Sequence, residues 1–410
     1  MKRRRAHLLN ESRLQRRALA IALVLCLFSA SSVAQEAGAI KDWPKATPKA
    51  LGIDPQKLAA FDADIASGKY GLVDSMLVLR CGTAVYDKTY AHDYGQIYGE
   101  RAKKEGPLNH DLHGPYNYFS TEFHPFYQGS SMHTMQSVSK TITSITIGIA
   151  RTRNEFTASL EAPIVPLLGL RKIANLDDRK KRITVRDLLT MTAGLDWHED
   201  LPYDDPKNSA DMMEASHDWG QYVIDLPMAS DPGKVFLYNS GATILLAQIF
   251  KRVTGKNIDE YAAEHLFKPL GIRYYWKHSP TGLPDTEGGL YLSAHDLAKI
   301  GQLFLKGGMW EGREVVSAGW IKDSVAPHVA VSGGEWKYGY QWWLQPTGGS
   351  PEDVAWFARG FGGQQLIVLP EYDLVAVFTG WDILPSDEKH AHDQLGRLLD
   401  AANRFYGCTE

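Results

Sequence analysis

The sequence predicts an α/β fold: an antiparallel sheet flanked by helices, carrying an all-helical insert. Three observations lead there. Strand-like runs cluster at both ends of the chain, a helical and turn-rich stretch fills residues 155–275 between them, and the most apolar helix of the body begins just before that stretch. A sheet domain joined to a helical one leaves a cleft, the usual place for a small-molecule site.

The elements follow in order. Residues 35–72 form a lead-in with a helix from Pro55 to Ser67, whose apolar positions Leu58, Phe61 and Ile65 share one face. Val73 to Arg80 and Thr83 to Tyr90 flank Cys81-Gly82, which predicts a hairpin and opens the main domain, residues 73–410. Residues 91–133 are aromatic, rich in histidine and aperiodic, as a long loop would be. Ser137 to Arg151 reads as a buried helix, with isoleucines on several faces. Within the insert, helices are expected over Thr184–Met191, Asn208–Ile224, Ala242–Thr254 and Ile258–Leu266. Ser293 caps a further helix to Lys306, with Asp296 three residues on. Strands return at Gly339–Leu344, Gln364–Leu369 and Leu374–Thr379, and a helix over Asp387–Tyr406 closes the chain.

Composition narrows the class. Of 410 residues, 44% are hydrophobic and 22% charged, which excludes a disordered chain and a multi-span membrane protein. Residues 1–34 hold seven basic side chains and one acid, followed by an apolar run from Ala18 to Phe28 and small residues ending at Ala34. That is the layout of a secretory signal peptide, so a periplasmic or secreted location is expected, with membrane attachment only if the leader is not cleaved. The other 376 residues carry 37 basic and 47 acidic side chains, and such a body repels nucleic acid. Cys81 and Cys408 remain in the exported part, where they form one disulfide or stay as two thiols; spacing alone does not decide.

The chemistry begins at Ser137-Val138-Ser139-Lys140. On a helix, residues three apart share a face, so the Lys140 amine can reach the Ser137 hydroxyl. A serine is a weak nucleophile until a base takes its proton, and a lysine kept from water is more readily neutral and able to do so. Such a motif arises by chance, and Ser386-Asp387-Glu388-Lys389 is a second copy; its acidic neighbours mark it as a helix cap. The first copy gains weight from Tyr238-Asn239-Ser240, on a turn into a helix, and from Ala358-Arg359-Gly360-Phe361, beside a strand. The histidines His110, His113, His124 and His133 read as solvated loop residues rather than a metal site, and His390-Ala391-His392 as a surface helix. The chain has no Gly-x-Ser-x-Gly, P-loop or dinucleotide glycine pattern.

In this order the three segments resemble the triplet of serine β-lactamases and penicillin-binding proteins. The resemblance is nearest to the class C-like branch that includes DD-peptidases, carboxylesterases and 6-aminohexanoate-dimer hydrolases. Thr184–Leu195, Gly288–Leu297 and Tyr338–Trp343 extend it over roughly residues 70–405. It implies an exported serine hydrolase acting on a small ester, amide or peptide without a cofactor or metal. Ser137 would be the nucleophile, Lys140 its base and Tyr238 a proton shuttle. The backbone at Ser137 and, after Gly360, at Phe361 would form the oxyanion hole. Asn239, Ser240 and Arg359 are candidate substrate contacts. Two positions depart from the family. Ser240 stands where an asparagine is usual, and Ala358 where β-lactamases have lysine and related peptidases histidine. An ester or amide hydrolase is therefore expected ahead of a true β-lactamase or DD-peptidase, or of a non-catalytic sensor module.

Overall fold

The computed structural model describes residues 42–348, 350, 353–384, 393–403 and 408. The leader, the second Ser-x-x-Lys copy, and His390 and His392 lie outside the described residues. Among the described residues no helix is long and apolar enough to cross a membrane.

The main sheet has eight strands: β1 (Val73–Arg80), β2 (Thr83–Thr89), β3 (Val329–Ala330), β4 (Lys337–Tyr338), β5 (Trp343–Pro346), β6 (Val354–Gly360), β7 (Gln364–Leu369) and β8 (Leu374–Gly380). Their spatial order is β2-β1-β8-β7-β6-β5-β4-β3, antiparallel throughout. The first hairpin thus pairs with the last strand, Met76 opposite Phe378 and Val78 opposite Ala376. Side chains alternate across a strand, so each strand feeds two layers. Met76, Val78, Ile367, Leu369, Ala376 and Phe378 join the core beneath α1 (Pro55–Ala66). Leu77, Leu79, Leu366, Val368, Val375 and Val377 join the larger core on the other face, which holds the buried side of α2 (Val138–Thr152), α3 (Ser240–Thr254) and α4 (Ala294–Leu305). A closing helix, α5 (Asp393–Ala401), packs with α1 in the smaller core.

α1 starts where expected because Asp54 accepts hydrogen bonds from the backbone of Gln56 (2.8 Å) and Lys57 (3.2 Å), with Pro55 at the first helical position. α2 is buried from Val138 to Ala150 although six of those residues are polar; Thr143 and Thr146 return their hydroxyls to the backbone oxygens of Ser139 and Ile142. The buried residues of the insert, Trp197, Met213, Trp219 and Val223 among them, belong to the same continuous cluster as the sheet residues.

The fold departs from expectation in three places, the insert helix, the strand at Gln341 and the loop histidines, and it decides between the two states left open for Cys81 and Cys408. The helix expected over Asn208–Ile224 is two, Ser209–Glu214 and Trp219–Asp225, because Asp218 caps the second through a 3.0 Å bond from the Gln221 backbone. The strand expected over Gly339–Leu344 is interrupted: Gln341 takes φ 63° and turns its side chain into the core. His124 and His133 are not solvated but buried, His124 stacked on Trp381 and His133 3.0 Å from Asp74. His110 is partly buried against Asp211, at 2.6 Å. Cys81 and Cys408 form a disulfide across 327 residues of chain, with their Cα atoms 5.6 Å apart.

Candidate active site

Three stretches far apart in sequence meet at the start of α2. Met135 donates its backbone N–H to Leu290 O (2.8 Å), and Ser139 Oγ accepts from Leu290 N (3.1 Å), so the turn before the helix is clamped from both sides. Gln136 sits in the left-handed region at φ 48°, a conformation that non-glycine residues hold only where the surroundings enforce it. The sharp turn brings Ser137 to the helix N-terminus, half-buried at the edge of a narrow cleft lined also by Gln136, Tyr203, Glu214, Glu287 and Phe361.

Lys140 lies one turn along, with 1% of its surface exposed. Its Nζ donates to Ser137 Oγ at 2.7 Å and to the backbone oxygen of Glu287 at 2.7 Å, and lies 3.5 Å from the Glu287 carboxylate. Tyr238 comes from the turn into α3. Lys140 Nζ is 5.2 Å from its ring centroid, and Trp343 stacks on its other surroundings at 5.4 Å. Burial pushes the Tyr238 phenol well up, and the Glu199 carboxylate adds to this, while a hydrogen bond with Ser137 and the charge of Arg359 pull the other way. The phenol is therefore a proton donor at neutral pH. The expected hydroxyl, amine and phenol do meet in one place.

The edge of the site opposite α2 is the end of β6. A Cβ on Gly360 would come within 2.4 Å of Met135 O and 3.1 Å of the Gln136 Cβ, so only glycine lets the strand pass this close to the turn. Phe361 follows, its ring 4.5 Å from that of Tyr203. Among the described residues, no protein acceptor takes the backbone N–H of Ser137 or of Phe361. Ala358 is buried, and Arg359 lies over the rings of Trp336 (5.4 Å) and Trp343 (6.0 Å).

The other candidate contacts have structural partners. Asn239 caps α3 by accepting from Ala242 N (3.0 Å). Ser240 is buried; its hydroxyl donates to Glu199 Oε1 (2.6 Å) and its backbone to Glu199 Oε2 (2.8 Å). Glu199 also accepts from Trp197 Nε1 and the Tyr203 hydroxyl, both at 2.7 Å, so one carboxylate ties the insert to the turn carrying Tyr238. Trp342 is wholly buried against Phe304, whereas its neighbour Trp343 reaches the site.

Sequence reasoning did not single out Glu199, Glu214, Glu287 or Gln341. Gln341 joins three helices: its backbone oxygen accepts from Thr141 of α2 (2.7 Å), its side-chain oxygen from Thr243 of α3 (3.4 Å), and its amide donates to Leu188 O (3.0 Å) and Leu189 O (3.1 Å) of the helix Val185–Leu189. No motif marks the three glutamates, and Gln341 lies in the Tyr338–Trp343 segment without spacing that hints at its role; each acts through partners distant in the chain.

A helix-borne serine and lysine, a tyrosine from a neighbouring helix turn and a glycine-edged antiparallel strand together define a serine–lysine site on a mixed α/β scaffold. The chain belongs to the Beta-lactamase family, whose model matches residues 74–393. A 6-aminohexanoate-dimer hydrolase of Paenarthrobacter ureafaciens is 30% identical over 242 residues, covering 53% of this chain and 60% of that protein. The match thus spans somewhat over half of that relative's length. Among solved structures, a putative 6-aminohexanoate-dimer hydrolase from Bacillus anthracis superposes with a TM-score of 0.61 at 21% identity, covering 87% of this chain and 86% of that one. EstCE1, described as a hydrolase with promiscuous acyltransferase activity, superposes with a TM-score of 0.60 at 15% identity, over 84% and 98% of the two chains. At these identities the superpositions establish a shared fold.

Proposed function

We propose that this protein is a serine hydrolase that cleaves a small ester or amide through an acyl-enzyme on Ser137. The observation that carries the reading is the 2.7 Å contact between Lys140 Nζ and Ser137 Oγ, beside the Tyr238 phenol. In the reactive form the amine is neutral. Ser137 Oγ bonds to the substrate carbonyl carbon as its proton passes to Lys140 Nζ. The N–H groups of Ser137 and Phe361 hold the oxyanion, each in a position to donate without giving up an existing bond. Collapse breaks the bond to the leaving group, which takes a proton from the Tyr238 hydroxyl, and Lys140 returns a proton to the phenol. Water then attacks the acyl carbon by the reverse path and frees Ser137.

Ester or amide substrates are favoured over β-lactams because Ala358 offers no cation and Arg359 lies against two tryptophans. The leader sequence and the linked Cys81 and Cys408 support export to an oxidising compartment. Turnover of p-nitrophenyl esters, D-amino-acid amides and nitrocefin by purified protein and by Ser137→Ala tests the reading. Ester or amide cleavage lost in Ser137→Ala supports it, and cleavage unaffected by the substitution refutes it. Nitrocefin turned over faster than the esters would instead favour a β-lactamase.

A further inference from the structure

The Ser137–Lys140–Tyr238 scheme leaves a buried carboxyl pair unused. Glu287 meets Lys140 twice, through its backbone oxygen at 2.7 Å and its carboxylate at 3.5 Å. Glu214, at the end of the Ser209–Glu214 helix, lines the same cleft as Glu287 and Ser137, and its Oε1 accepts from the Tyr118 hydroxyl at 2.5 Å. Behind them, Lys277 lies 3.7 Å from Asp285 and 3.4 Å from the Tyr118 hydroxyl, and Tyr116 donates to Asp285 at 3.3 Å. Among the described residues Tyr203 and Tyr238 also face Glu287, and Asp211 lines the same cleft. Burial pushes the Glu214 carboxyl well up, the charge of Glu287 and a hydrogen bond between the two adding to this, while Lys277 opposes it. Like charges so placed disfavour each other, so the Glu214 carboxyl holds a proton more readily than an exposed one would.

We propose that Glu287 is a positioning residue for the catalytic lysine, and that Glu214 and Glu287 share one proton, leaving a single buried negative charge beside the amine. This rests on the serine-hydrolase reading. The backbone contact aims the amine at Ser137. The side-chain carboxylate, 3.5 Å from the amine, attracts positive charge there, so its removal should change the pH at which Ser137 becomes reactive. The proton held by Glu214 spreads that charge over four oxygens and moderates its pull. In this arrangement the carboxyl pair, rather than Lys140 alone, fixes the acidic limb of the reaction.

The test is the pH dependence of Ser137 labelling by a fluorophosphonate, with kcat/KM for p-nitrophenyl acetate in parallel, in the full-length protein and in Glu287→Gln and Glu214→Gln. In Glu287→Gln the acidic limb should move to lower pH by about one unit, so that below the limb the variant reacts about tenfold faster than the parent. In Glu214→Gln an amide replaces the carboxyl as donor to a still-charged Glu287, and the limb should stay or move to higher pH. A purely structural role would lower the rate evenly at every pH. An unmoved limb in Glu287→Gln overturns the inference. Should that variant not fold, a limb moved to lower pH in Glu214→Gln overturns it as well. Parent protein that labels at Ser137 while the limbs disagree refutes only the carboxyl pair; parent protein that never labels there refutes the hydrolase reading with it.

Discussion

Replacing Lys140 by methionine separates the base from the packing. Methionine is close in length to the lysine stem, so the buried site keeps its filling and loses only the amine. Two bonds of 2.7 Å vanish, one to Ser137 Oγ and one to Glu287 O. If Lys140 is the proposed proton acceptor, the first loss costs about 10²–10⁴ in rate, or roughly 3–5 kcal/mol of barrier. The second leaves a buried carbonyl without its donor, at about 1–3 kcal/mol of stability. Lys140→Arg gives the sharper contrast, since arginine keeps the positive charge but does not deprotonate at working pH. If the amine acts as a base, both variants lose acylation; if it only supplies charge, arginine retains it. The assay is the pre-steady-state release of p-nitrophenol, read beside urea unfolding to confirm that each variant is folded. Acylation at the parent rate in folded Lys140→Met or Lys140→Arg would refute the reasoning.

Other consequences follow from the same geometry. Gly360→Val would drive a branched side chain into Met135 O, spreading β6 from the nucleophile turn; kcat/KM should fall at least tenfold, with a stability loss of about 1–3 kcal/mol by urea unfolding. The paired variant Cys81→Ser with Cys408→Ser should lose about 2–4 kcal/mol in urea unfolding and keep its Ser137 labelling rate, because the disulfide restrains the chain ends rather than the site. Burial pushes the Asp285 carboxyl up to about 6, with the charge of Glu287 adding to it and that of Lys277 opposing. Between about pH 4 and 6 the folded state then binds this proton more tightly than the unfolded chain does, so its contribution to stability declines as pH rises through that window. Urea midpoints between pH 4 and 7 should show a shallower fall in Asp285→Asn, and an unchanged profile would contradict the assignment.

The parts legible in the sequence are those governed by short spacing. Ser137 and Lys140 lie one turn apart on an apolar helix, and Gly360 stands at a strand end where close approach needs no side chain. The hairpin around Cys81-Gly82 and the final strands followed from alternation and turn residues, and their partnership across the chain from the fold the resemblance implied. What stayed hidden depends on long-range partners. Glu199 and Glu287 look like ordinary surface acids until the fold places them against Ser240 and Lys140. Gln341 reads as part of a strand, yet its backbone bonds Leu189 O and Thr141 and its amide bonds Leu188 O, Leu189 O and Thr243, so all its polar groups find partners away from the sheet. His124 and His133 look solvated in a polar, aperiodic loop, and only the packing of Trp381 and Asp74 against them shows otherwise.

The most direct measurement is the mass of the protein trapped during turnover of a slow ester, with the modified peptide mapped by fragmentation. An added acyl group on the Ser137 oxygen, absent in Ser137→Ala and accumulating faster than product release, is the predicted result. Product formed at an undiminished rate with no adduct on Ser137, or an adduct on another side chain, would contradict it.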